Sequence, residues 1–167
     1  MKSIHLIAPS GASLDNKSTL AGIDWLERQG ISIQNTDCVH RVYERFAVGD
    51  EARLAEINQL PQVNSQTVVM AMRGGYGLHR LLPGMEWNGI AKAVKSGLQI
   101  CGHSDFTVFQ LGLLAKTGAI TLAGPMLNYD FGRLADDGAP VVPDAFMWQH
   151  FQNAAQNRSV ECQVSAP

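Results

Sequence analysis

The residues with the clearest capacity for chemistry lie in one octet, Ile100-Cys101-Gly102-His103-Ser104-Asp105-Phe106-Thr107. An apolar run stops at Gly102, a serine follows two residues later, and helical apolar spacing begins at Val108. This order puts the Ser104 hydroxyl on a sharp turn between a buried strand and a helix. A nucleophile so placed is exposed at the end of a sheet. The free N–H groups and positive dipole of the helix start lie beside it to stabilise a developing oxyanion. The chemistry implied is acyl transfer through a serine hydroxyl. Phe106 stands where the second glycine of G-x-S-x-G would be, and the competing reading is that Ser104 caps the helix.

A second cluster, Arg73-Gly74-Gly75-Tyr76-Gly77, follows the apolar run Thr67 to Met72. Its glycines free the backbone to aim N–H groups inward, either as half of an oxyanion hole or as an anion cradle. A tight strand-to-helix turn would need the same glycines. Neither G-x-G-x-x-G nor G-x-x-x-x-G-K-[ST] is present, which weighs against nucleotide binding. Arg73 can hold a substrate carboxylate through two parallel hydrogen bonds, or form an ion pair that stabilises the fold. Arg73 and Tyr76 are the substrate-binding candidates. Histidines at 5, 40, 79, 103 and 150 show no metal-ligand spacing, so neither a catalytic metal nor a cofactor is expected. His103 precedes Ser104 directly, and neighbours at such a turn point apart, which makes it a weak general base. His79 is no better placed. The octet and the glycine cluster supply a nucleophile and an oxyanion hole without a convincing base.

These loops need a frame that brings them together. The 167 residues suit one domain with a full core. With 46% hydrophobic and 17% charged residues the chain is globular, and a net charge of -2 without a basic tract disfavours nucleic acid and anionic membranes as partners. Cys38, Cys101 and Cys162 are odd in number and lack C-x-x-C spacing, which fits buried thiols in a reducing compartment. The apolar start is too short for a signal peptide, so a cytoplasmic location is expected.

Strands are expected at Ile4–Ala8, Ile31–Ile33, Thr67–Met72, Leu98–Cys101 and Ala119–Ala123, with a further segment around Cys38–Val42. Helices are expected with Leu20, Ile23, Trp25 and Leu26; with Leu54, Ile57 and Leu60 after a cap at Asp50; over Leu78–Leu82 and Trp87–Val94; with Val108, Leu111 and Leu114; and after Pro143-Asp144. Val160, Cys162 and Val164 alternate as in a half-buried strand. Strands separated by helices predict an α/β fold, with a mostly parallel sheet flanked by helices in the flavodoxin or Rossmann manner. In such sheets the working loops lie at the strand carboxyl ends. Pro9-Ser10-Gly11, Arg73–Gly77 and Gly102–Asp105 all fall there.

Four segments, taken in order and spacing, carry a resemblance: Leu6-Ile7-Ala8-Pro9-Ser10-Gly11, Met72-Arg73-Gly74-Gly75-Tyr76-Gly77-Leu78-His79-Arg80-Leu81-Leu82, Cys101-Gly102-His103-Ser104-Asp105-Phe106-Thr107 and Leu122-Ala123-Gly124-Pro125-Met126. Together they resemble the N-terminal half of the LD-carboxypeptidases (muramoyltetrapeptide carboxypeptidases), a family that includes microcin C immunity peptidases. The resemblance implies a cytoplasmic serine peptidase that removes the terminal D-alanine from the tetrapeptide stem of recycled peptidoglycan. It implies Ser104 as the nucleophile, with the backbone N–H groups of Asp105 and of Gly75 or Gly74 as the oxyanion hole. It also implies that the catalytic glutamate and histidine come from a C-terminal domain. Residues 1–155 then form the nucleophile-bearing α/β domain and 156–167 begin the linker to that domain. The expected partners are a muropeptide substrate, the C-terminal domain and a second copy in a homodimer. Two alternatives stand beside this reading. One is a small-molecule or nucleotide-binding α/β module without hydrolase activity; the other is an interaction fragment that pairs with a separately encoded second half.

Overall fold

The centre of the sheet is built from short apolar runs whose successive side chains are buried on opposite faces, as strands covered on both sides require. The structure is a computed structural model and describes residues 1–13 and 16–158. In it β1 (Ser3–Ile7), β2 (Ser32–Gln34), β3 (Val68–Ala71), β4 (Gln99–Gly102) and β5 (Leu122–Ala123) pair in the order β2-β1-β3-β4-β5. Every pairing is parallel, with Leu6 opposite Met70 and Met70 opposite Cys101. The helices are α1 (Asn16–Arg28), α2 (Asp50–Asn58), α3 (Trp87–Lys95), α4 (Thr107–Thr117) and α5 (Ala145–Ala154). Ile7, Val69, Ala71 and Ile100 pack toward Ile57, Ile90, Phe109 and Leu113 of α2, α3 and α4. Ile4, Leu6, Val68, Met70 and Cys101 pack toward Leu26 of α1 and Phe151 of α5. The sequence expectation of a parallel α/β sheet covered on both faces holds.

The strand order reverses between β1 and β3. Loops leaving the carboxyl ends of such neighbours run to opposite faces and leave a crevice between them. Of the loops named from sequence, Arg73–Gly75 and His103-Ser104 line a cleft there together with Ser13, while Pro9-Ser10-Gly11 lies behind it.

Several elements differ from expectation. Helix α4 turns a different face inward: Phe106, Phe109, Gln110 and Leu113 are buried, while Leu111 is 59% and Leu114 45% exposed. A 3-10 turn over Ser104–Phe106 precedes the helix and drives Phe106 into the core, its ring tilted against Phe109 with centroids 5.1 Å apart. That anchor fixes the helix rotation, so spacing counted from Val108 is out of phase. In α1 the buried residues are Thr19, Gly22 and Leu26, and Leu20 is exposed. Close backbone approach sets this face: a methyl on Gly22 would come within 3.0 Å of the Leu127 carbonyl oxygen. Asp50 is the first residue of α2, whose cap is Gly49; the Asp50 carboxylate pairs with Arg53 and Arg80 instead. Helix α2 ends at Asn58, and Leu60 lies on a separate 3-10 turn with Pro61. The Cys38 segment is a 3-10 turn, Thr36–His40, and Leu78–Gly84 is another. Strand β5 is shorter than expected. Asp144 caps α5 by accepting from the Met147 N–H at 2.7 Å. The alternation at Val160, Cys162 and Val164 lies outside the described residues. Among the described residues, no helix is long and apolar enough to cross a membrane.

Candidate active site

Three loops are laced together at the carboxyl ends of β1, β3 and β4. The loop after β1 is held from beneath by Arg53, a wholly buried side chain that donates to the Pro9 carbonyl oxygen at 2.7 Å. Its guanidinium also lies over the Phe46 ring, 4.5 Å from the centroid. A buried cation needs such partners. Across the crevice Gly11 N–H donates to the Gly74 carbonyl oxygen at 3.2 Å, and Arg73 Nη1 donates to the Ala12 carbonyl oxygen at 2.8 Å. Arg73 therefore ties the glycine loop to the β1 loop while its side chain lines the cleft.

The chain leaving β4 makes its turn at Ser104, which has φ 57, a left-handed conformation that costs a non-glycine residue about 1–2 kcal/mol. His103 before it is extended, so the two side chains diverge. Ser104 is exposed and packs against the glycine loop. A methyl on Gly74 would stand 2.8 Å from both Ser104 Cβ and Oγ, and 3.4 Å from the Asp105 backbone nitrogen. Only a residue without a side chain allows this approach, and Gly75 (φ 127) similarly abuts the Gly11 backbone. The Asp105 carboxylate reaches the far end of the same loop and accepts from the Leu78 N–H at 3.3 Å.

A cleft of about 620 Å³ opens over these groups, lined by Ser13, Ser18, Arg73, Gly74, Gly75, His103, Ser104, Met126, Asn128 and Tyr129. Sequence candidates Ser104, Gly74, Gly75 and Arg73 meet there, with Asp105 directly behind. Tyr76 does not line it. Its ring lies edge-on to Phe46 with Arg45 above it, on the outer side of the loop. His103 Nε2 donates to Asp130 Oδ2 at 3.1 Å, and the same oxygen accepts the Met126 N–H at 2.7 Å. The ring is thus held by Asp130 and not by its neighbour's hydroxyl. Among the described residues, no histidine or carboxylate hydrogen-bonds Ser104 Oγ, and His79 lies outside the cleft. Burial pushes the Cys101 thiol, three residues before Ser104, well above its usual range; nearby Asp130 adds to the shift. It donates to the Pro125 carbonyl oxygen and is no competing nucleophile at neutral pH.

Sequence reasoning missed the segment Leu127–Phe131, a π-helical turn that closes the cleft's far wall. Asn128 N–H docks on the Met72 carbonyl oxygen at 3.0 Å, and its side chain bonds Ser13 and Thr19 at 3.1 Å. No pattern marks a single π turn, so only the polar residues after Gly124-Pro125 hinted at it.

The comparison that decides the family is a match of residues 4–124 to the LD-carboxypeptidase N-terminal domain. The chain belongs to the LD-carboxypeptidase family. It is 27% identical over 143 residues to a probable murein peptide carboxypeptidase of Bacillus subtilis, covering 86% of this chain and 43% of that protein. It is 30% identical over 127 residues to the microcin C7 self-immunity protein of Escherichia coli, covering 75% of this chain and 35% of that one. Among solved structures, the muramoyltetrapeptide carboxypeptidase from Oxalobacter formigenes superposes with a TM-score of 0.73 at 38% identity, over 91% of this chain and 47% of that one. The chain therefore spans less than half the length of these family members.

Proposed function

We propose that this chain is the nucleophile-bearing domain of a serine LD-carboxypeptidase that releases terminal D-alanine from muramoyl tetrapeptide during cytoplasmic peptidoglycan recycling. The observation that carries the reading is the left-handed turn at Ser104, its hydroxyl pressed against Gly74 at the mouth of the cleft. In this mechanism Ser104 Oγ attacks the carbonyl carbon of the scissile amide. The Asp105 N–H and an N–H of Gly74 or Gly75 receive the developing oxyanion. Arg73, at the cleft wall, attracts the substrate's terminal carboxylate. Loss of the hydroxyl proton requires a base, as does its delivery to the leaving amine. The lengths of the family members support a further, C-terminal domain; the family resemblance assigns to it the glutamate and histidine that supply this base, and on this reading 1–155 is the nucleophile-bearing domain and 156–167 the start of the linker.

The test is D-alanine release from muramoyl tetrapeptide by this chain, by its Ser104→Ala variant, and by each mixed with a C-terminal domain from a family member. The chain alone is expected to be nearly inactive. A serine-protease site without its triad keeps only about 10³–10⁴-fold over water. Turnover that arises on mixing and vanishes in Ser104→Ala supports the reading. Robust turnover by the chain alone, lost in Ser104→Ala, would place a base within these residues and overturn the split site. Release unaffected by Ser104→Ala in the mixture would remove the serine from the chemistry.

A further inference from the structure

We infer that the Asp105 carboxylate is a positioning residue that ties the Ser104 turn to the far end of the glycine loop and so sets the spacing of the oxyanion donors. This rests on the acyl-transfer reading above. Asp105 contacts the glycine loop at both ends. Its backbone nitrogen faces Gly74 across the 3.4 Å to a would-be methyl, and its Oδ2 accepts the Leu78 N–H at 3.3 Å. Leu78 opens a 3-10 turn, so its N–H has no partner within that turn, and its side chain is wholly buried. The preceding Gly77 has φ 97 and is packed so closely on Phe46 that a methyl would lie 2.5 Å from the ring. The anchor at Leu78 is therefore rigid, and the carboxylate transmits that rigidity to Ser104 and to its own N–H. The hydrogen bond has a second consequence. It draws negative charge toward Leu78, away from the place where the oxyanion forms, and an unheld carboxylate there would repel it.

The probe is a peptide boronic acid whose boron replaces the scissile carbonyl. It adds Ser104 Oγ, releases the hydroxyl proton to solvent, and leaves a tetrahedral anion among the oxyanion donors. Binding of this chain, mixed with the C-terminal domain of a family member so that the base is present, is measured by calorimetry and the adduct by boron NMR, against the same peptide ending in a carboxamide as a ground-state control. The wild type is expected to form the adduct. Asp105→Ala should weaken boronate binding about 10- to 100-fold, with carboxamide binding unchanged to within about twofold. Asp105→Asn keeps an acceptor for Leu78 and should recover most of the loss. If Asp105→Ala fails to fold, Asp105→Ser, too short to reach Leu78, is read the same way. Equal losses for both ligands, no loss for the boronate, or no recovery in Asp105→Asn would overturn the positioning role while leaving acyl transfer intact. A wild type that forms no adduct, or one that persists in Ser104→Ala, would overturn the acyl-transfer reading and this inference with it.

Discussion

Replacing Gly74 with alanine tests the packing on which the site depends without requiring turnover. The new methyl would stand 2.8 Å from two Ser104 atoms, Cβ and Oγ. Carbon contacts are optimal at about 3.5–4.0 Å, so an overlap of roughly 0.7 Å or more must be relieved. Neither side yields freely: the Gly74 carbonyl is bonded to Gly11, and Ser104 occupies the narrow left-handed well. Overpacking of this kind costs about 1–3 kcal/mol. Ser104→Gly removes both clashing atoms and relieves a left-handed serine, a gain of about 1 kcal/mol partly offset by glycine's looser unfolded chain. In the Ser104→Gly background, Gly74→Ala should therefore cost little, giving a coupling energy of about 1–2 kcal/mol in the double-mutant cycle. Urea unfolding of the four chains measures it, with midpoints shifting at constant slope. If Gly74→Ala costs the same in both backgrounds, to within about 0.5 kcal/mol, the alanine is not meeting Ser104 and the shared site is wrong.

Three further outcomes are expected. Arg53→Met should destabilise the chain by about 2–3 kcal/mol, because the Pro9 carbonyl and the Asp50 carboxylate lose a buried donor; an unchanged urea midpoint would mean the β1 loop does not need this anchor. Leu113→Ala should cost about 2–5 kcal/mol and Leu114→Ala well under half of that, and the reverse order would refute the rotation of α4. His5 has its pKa lowered by burial, against smaller opposing effects from Gln34 and Glu56. Its protonation therefore favours the unfolded chain. Stability should be full above the unfolded-state value of about 6.5 and fall as the pH drops through that value toward the lower folded one. The thermal midpoint of His5→Gln should drop less than wild type from neutral to mildly acidic pH, and parallel curves would refute the assignment.

What was legible in the sequence follows from which forces act locally. Strands covered on both faces must be largely apolar, so Val68–Ala71 was plain and Ile4–Ile7, interrupted only by the half-buried His5, nearly so, and helices between them implied parallel pairing. Helix faces were less legible. Burial in α1 depends on Gly22 and Thr19 meeting the Leu127–Gly132 segment, more than a hundred residues away in sequence. In α4 the rotation is fixed by Phe106, a residue that sequence periodicity leaves outside the helix. Arg53 was invisible for a related reason. A buried arginine reads as a solvated helix residue until Pro9, Asp50 and Phe46 are seen around it.

The site divides along the same line. Glycines that permit close approach and a serine at a strand end carry their meaning in their own backbone, so Gly74, Gly75 and Ser104 could be named and then found together. The general base could not, because proximity in sequence is misleading at a turn of this shape. With His103 extended and Ser104 left-handed, adjacent side chains leave the backbone in different directions. Asp130 then fixes the imidazole by accepting from Nε2 with the same oxygen that takes the Met126 N–H. A histidine one bond away along the chain is thereby committed to the cleft wall. On the acyl-transfer mechanism, the proton on Ser104 must then leave toward the open side of the cleft, where the hydroxyl is exposed and none of the three loops supplies a base. On that mechanism, the geometry that exposes the Ser104 hydroxyl is the same geometry that requires its base to arrive from elsewhere.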